Sequence, residues 1–120
     1  MRLSEELRQR TKRYASGIIR LYVTLPRQSE EVRVVGRQLL RSGTSVAGHA
    51  REASRARSAA EFCSKLDGLL QEADESQLWL ELLREDCGIN GPELKHLLAE
   101  TEEIISIFTT MVSRSRKNGS

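Results

Sequence analysis

The stretch SAAEFCSKLDGLLQEADESQLWLELL, residues 58–83, decides the fold. Stepped by four and three it puts Phe62, Leu66, Leu69, Ala73, Ser76, Leu80 and Leu83 on one line, the spacing that gathers side chains on one face of an α-helix. Ser58 and Glu61 open the stretch as a capping box, each side chain placed to take a backbone N–H that the first turn leaves free. Gly88 follows as a left-handed residue just past the helix end.

The same punctuation repeats on both sides. Upstream, Leu3, Leu7, Tyr14, Ile18, Leu21 and Leu25 form a stripe from about Ser4 to Leu25, interrupted only at Arg10. Pro26 ends it, since proline has no N–H and crowds the preceding turn. Ser29 is a natural N-cap for a second helix, whose stripe is Val32, Val35, Leu39, Ser42, Val46, Ala50 and Ala53. Downstream, Pro92 suits a first helical turn, and Leu94, Leu97, Thr101, Ile104, Phe108 and Met111 complete a fourth seam.

The breaks between these helices are a few residues long, which makes consecutive helices antiparallel neighbours. The expected fold is all-α, an antiparallel up-down-up-down four-helix bundle. With 120 residues, two prolines and eight glycines, the chain has room for one aliphatic core. It reads as a single domain over residues 1–117 with a frayed C-terminal tail at 118–120.

Several function classes find no support in the residues. Cys63 and Cys87 stand at opposite ends of one helical element, about 36 Å apart at 1.5 Å per residue, too far for a disulfide. No run approaches the roughly 18 apolar residues of a membrane helix, and the N-terminal residues lack an apolar signal core. The cytoplasm is therefore the expected compartment, with no membrane partner. His49 and His96 are the only histidines, and His49, beside the core stripe, reads as a packing residue. Glu72 and Glu75 lack the Glu-x-x-His form of di-iron bundles. Neither catalytic residues, metal ligands nor a cofactor site is expected, and the chain does not read as an enzyme.

Two features remain after the core is assigned. Leu70, Leu78, Trp79 and Leu82 on the third helix, and Leu98, Ile105 and Val112 on the fourth, lie outside the narrow seams. They are either a wide core face or an oligomer interface. The formal charge of +2 also conceals a division. Residues 1–57 hold 13 Lys/Arg against 5 Asp/Glu, whereas residues 58–112 hold 3 against 12.

Around the small-residue tract Ser42-Gly43-Thr44-Ser45-Val46-Ala47-Gly48, arginines recur at positions 33, 37, 41, 51 and 55. Guanidinium groups suit phosphate, and small residues admit another backbone. The candidate nucleic-acid-binding residues are Arg13, Arg20, Arg33, Arg37, Arg41, Arg51 and Arg55, supplemented by Arg114, Arg116 and Lys117. The alternative is that these arginines are ordinary solvated bundle surface, or that they pair with acidic residues of the third helix.

Two strings, Arg41-Ser42-Gly43-Thr44-Ser45-Val46 and Glu72-Ala73-Asp74-Glu75-Ser76-Gln77-Leu78-Trp79-Leu80-Glu81-Leu82-Leu83, carry a family resemblance. The chain resembles the bacterial four-helix-bundle proteins named after intervening sequences of large-subunit ribosomal RNA genes. It is also similar to the accessory variability determinant proteins of diversity-generating retroelements. Where many relatives have Gly-Ala-Asn, it has Ala47-Gly48-His49. The resemblance implies a homopentameric ring and, on the retroelement side, a basic adaptor for RNA or DNA and a reverse transcriptase. The alternative is a self-assembling bundle without a nucleic-acid partner.

Overall fold

The computed structural model describes residues 2–119. Four helices follow in order, α1 (Glu5–Thr24), α2 (Glu30–Ser54), α3 (Ala59–Glu85) and α4 (Pro92–Gly119). Each packs against its sequence neighbours, and α4 closes the ring by touching α1, the most loosely packed pair. The diagonal pairs α1–α3 and α2–α4 make no close backbone approach among the described residues. This is the antiparallel four-helix bundle, 50 Å long and about 20 Å across, as the short connections dictate.

The ends of the helices follow local chemistry, with three departures. Ser4 caps α1, its hydroxyl accepting from Leu7 N at 3.1 Å. Ser58 caps α3 by accepting from Glu61 N at 3.0 Å, but the box is half made, because the Glu61 carboxylate turns to Arg57 Nε at 3.7 Å. Ser29 occupies the N-cap of α2 without a side-chain bond; its carbonyl accepts from Arg33 N instead. Gly88 takes φ +69° and lets Ile89 N reach back to the Leu83 carbonyl at 2.9 Å. Helix α4 continues to Gly119, past the boundary expected at 117, because Arg116 and Lys117 face the negative end of its dipole and nothing breaks the turn. Ser120 and Met1 lie outside the described residues.

All seven seam positions of α3 are buried. In α4 the last core position is Val112, with Met111 only half-buried. A straight helix turns 3.6 residues, so a strict heptad line drifts and the next core contact after Phe108 falls at i+4. In α1 the missing turn at Arg10 is filled by Thr11, 2 % exposed, whose hydroxyl donates to the Arg8 carbonyl.

A polar layer crosses the core with one side chain from each helix: Tyr14, Ser42, Ser76 and Thr101, all buried. Thr101 donates to Leu97 O at 2.6 Å, so the phenol of Tyr14 is the donor in their 2.7 Å bond. Ser76 donates to Glu72 O, leaving Ser42 to donate across the α2–α3 seam at 2.8 Å. Burial pushes the Tyr14 phenol pKa up, against a smaller opposing influence of the Thr101 and Ser76 hydroxyls. Each bond is made in only one alignment, so the layer favours one axial register of α1 against α4 and of α2 against α3.

Candidate functional site

Helices α1 and α2 approach closely where glycine permits it. A Cβ on Gly43 would stand 2.7 Å from Ile18 Cγ1, and one on Gly36 2.9 Å from Leu25 Cδ1. Toward the end of the bundle that holds both chain termini, the two helices border an open groove of about 720 Å³. Its α1 wall carries Glu5, Arg8, Gln9 and Lys12, its α2 wall Arg51, Ser54 and Arg55, and Arg2 adds a fifth cation. Ala47, Gly48 and Ala50 supply small surfaces between the walls.

The groove is strongly cationic. Its single carboxylate, Glu5, is taken by Arg8 and by Gln9 Nε2 at 3.0 Å. Hydrogen bonds from Gln9, then Arg8, hold the Glu5 carboxyl below the usual range. Among the described residues no carboxylate lies within ion-pair distance of Arg2, Lys12, Arg51 or Arg55. The hydroxyls nearby are satisfied internally, Thr11 on Arg8 O and Ser54 on Ala50 O. What remains free in the groove is positive charge. At this end of the bundle, residues 2–12, 47–67 and 108–119 hold 11 Lys/Arg against 5 Asp/Glu.

The seven arginines expected to act together are divided. Arg51 and Arg55 line the groove. Arg41 instead reaches α3, 3.6 Å from Glu72 and 3.2 Å from Glu75, and Arg33 pairs with Glu30. Positions spaced by four advance 400° around a helix, so a line drifts about 40° per step. From Arg33 to Arg41 that drift carries the guanidinium from the α1 side of α2 to the α3 side. Arg37 is exposed near the far end, and Arg13 is exposed on α1. Arg20 borders a separate groove between α1 and α4 with Val23, Pro92 and His96. Of the C-terminal cations, Arg116 is paired with Asp67, and Arg114 and Lys117 are exposed.

Arg2, Arg8 and Lys12 were not singled out from sequence. The signal was present, since Arg8 and Lys12 are one turn apart and antiparallel pairing brings the start of α1 beside the end of α2.

The profile of the 23S rRNA-intervening sequence protein family matches residues 5–110. The chain belongs to that family. It is also 32% identical to a solved structure, a protein of unknown function from the S23 ribosomal protein family of Bacteroides thetaiotaomicron. That match covers 88% of this chain and 94% of the other, with a TM-score of 0.80. Among curated proteins none matches.

The chemistry elsewhere in this family member is sparse. No group of three metal-ligating side chains forms among the described residues, and no helix is long and apolar enough to cross a membrane. Cys63 and Cys87 are free thiols. The His49 ring lies over Gly68, where a Cβ would come within 2.8 Å of it, and its Nδ1 is 3.4 Å from Glu52.

The surplus apolar residues also separate. Leu70, Trp79, Leu98 and Ile105 are half-buried against the protein's own core, and Val112 is within it. Leu82 is half-buried and Leu78 is 46% exposed. Beyond these, Ile19, Val23 and Val34 are the large apolar side chains left in solvent among the described residues. The doublets Ile18-Ile19 and Val34-Val35 hint at this, because successive helical residues stand about 100° apart and the second of a bulky pair is readily turned away from the core. Val34 lies seven residues before Arg41, while Leu78 and Leu82 lie three and seven after Glu75. The Arg41–Glu75 pair therefore places all three along one end of the outer α2–α3 seam.

Proposed function

We propose that the chain is a non-catalytic adaptor that engages nucleic-acid phosphates through the groove between α1 and α2. The observation that carries this is the set of four unpaired cations, Arg2, Lys12, Arg51 and Arg55, around an open groove whose one carboxylate is already neutralised. Membership of a family named for ribosomal RNA intervening sequences fits an RNA-linked role. Contacts of this kind give affinity and position without reading sequence. In this reading the protein works as a homo-oligomer, a pentamer as its likeness to retroelement accessory proteins implies, and a reverse transcriptase is a candidate protein partner.

The test is binding of a fluorescently labelled structured RNA across a salt series, with the oligomer's mass followed in the same buffers. Neutralising four phosphates predicts a log–log salt slope of about −3 to −4. No binding at low salt by an intact oligomer would defeat the proposal.

A second reading, a self-assembling bundle with no nucleic-acid partner, draws on the exposed Val34 and Leu78 beside Leu82. It predicts that Leu78→Asp dissociates the oligomer and that nuclease treatment leaves the mass of the native assembly unchanged.

A further inference from the structure

The groove holds cations on two walls and no aromatic side chain on which a base can stack. Arg8 and Lys12 on α1, and Arg51 and Arg55 on α2, are each one helical turn apart, about 6 Å along the axis. Packed helix axes run 8–10 Å apart, so the cations form two rows across a shallow trough that Gly48 also lines. A Cβ on Gly48 would meet nothing within 4 Å, and the trough is open to a bulky occupant.

The aromatic side chains are all spent on the core. Tyr14, Phe62 and Phe108 are no more than 3% exposed, and Tyr22 and Trp79 are half-buried against it. Proteins that hold single strands without sequence preference combine a basic track with exposed aromatic platforms for successive bases. This surface has the first and lacks the second. A duplex keeps its bases stacked on each other and offers phosphates and sugars, which two rows of cations can meet.

Resting on the phosphate-binding reading above, we propose that the groove takes the sugar–phosphate backbone of a double-stranded nucleic acid in preference to a single strand. The shared ligand chemistry is the duplex backbone, supplied by RNA or DNA.

The experiment uses the full chain in its native oligomeric state and three labelled 20-mers, an unstructured RNA strand, that strand in an RNA duplex, and the corresponding DNA duplex. Each is titrated between 50 and 200 mM salt against the native protein and an Arg51→Glu/Arg55→Glu variant, with helicity and mass checked. The expected result is a duplex bound at least tenfold more tightly than the strand, with that advantage lost in the variant. Binding of the RNA duplex alone would assign an A-form occupant, and equal binding of both duplexes a general phosphate clamp; either supports the proposal. Equal or tighter binding of the single strand overturns the duplex preference and leaves the phosphate-binding reading standing. Tight duplex binding that survives the double reversal overturns the assignment to this groove. Failure of all three probes at 50 mM salt overturns the phosphate-binding reading, and the duplex preference with it.

Discussion

The two flanks of α2 carry the same kind of side chain and do opposite things with it. On the α3 flank, Arg41 lies 3.2 Å from Glu75 and Lys65 of α3 lies 3.2 Å from Glu52, so the seam is laced by ion pairs. On the α1 flank, Arg51 and Arg55 face Arg8 and Lys12 across a groove and find no carboxylate among the described residues to neutralise them. The neighbouring helix decides the outcome, since α3 brings acidic residues and the first half of α1 brings basic ones. A charge division along the chain thereby becomes a difference between two seams. One is structural; the other is left available.

Charge reversal tests that contrast most severely. Arg51→Glu with Arg55→Glu replaces two attractive groups by two repulsive ones, and is expected to weaken RNA binding about 100-fold near 100 mM salt and flatten the salt slope. Arg41→Glu, on the flank already neutralised, should change affinity less than about threefold. Equal losses measured by fluorescence anisotropy would break the distinction between the flanks.

The packing beneath the groove yields the next largest effect. Gly43→Ala puts a methyl 2.7 Å from Ile18 Cγ1, inside contact distance of a side chain that is fully buried. Overpacking at such a site destabilises by about 1–3 kcal/mol. Urea denaturation should show it as a lower midpoint with an unchanged slope.

Helix α1 repeats the contrast on its own two flanks. Toward α4, Arg10 donates twice to Glu100 at 2.8 Å. That bond, opposed by partial burial, holds the Glu100 carboxyl below its ordinary pKa. Because the folded-state value is lowered, the stabilisation is present above the pKa of the unfolded carboxyl and is lost as pH falls through the folded one. Glu100→Gln should therefore lower stability by about 1 kcal/mol at pH 7, with the difference from the native protein vanishing in strong acid. A difference independent of pH would mean that the pair contributes packing rather than charge.

The bundle was legible because its signals are local. The seam Phe62–Leu83, the Ser58 cap, the positive φ of Gly88 and the entry of Pro92 depend on neighbours within one or two turns. The site was less legible, because a face of arginines is defined by which helix lies beside it. Extending a line through Arg33, Arg37 and Arg41 ignores the drift of i+4 steps, and it assigned to one face side chains that the bundle sends to two. The groove joins residues some 40 positions apart, Arg8 and Lys12 with Arg51 and Arg55. Only the antiparallel pairing reveals them as neighbours. The small-residue tract was similarly composite. Ser42 and Gly43 point inward to Ser76 and Ile18, and Gly48 points out.

That last division gives the smallest effect and a precise use for it. Gly48 is an exposed glycine inside a helix, with open space where its Cβ would be. By propensity alone, Gly48→Ala should raise stability by about 0.5–1 kcal/mol, the reverse of Gly43→Ala one and a half turns earlier. A single methyl on the wall of a 720 Å³ groove should leave duplex affinity within about twofold. A longer side chain at the same position, Gly48→Leu, keeps the stability gain and projects from the α2 wall of the groove beside Arg51 and Arg55. If the groove is a binding site, affinity falls in the leucine variant while stability rises in both. If the leucine variant is more stable and binds as well as the native protein, the glycine faces nothing, and the open flank of α2 is no more than solvated surface.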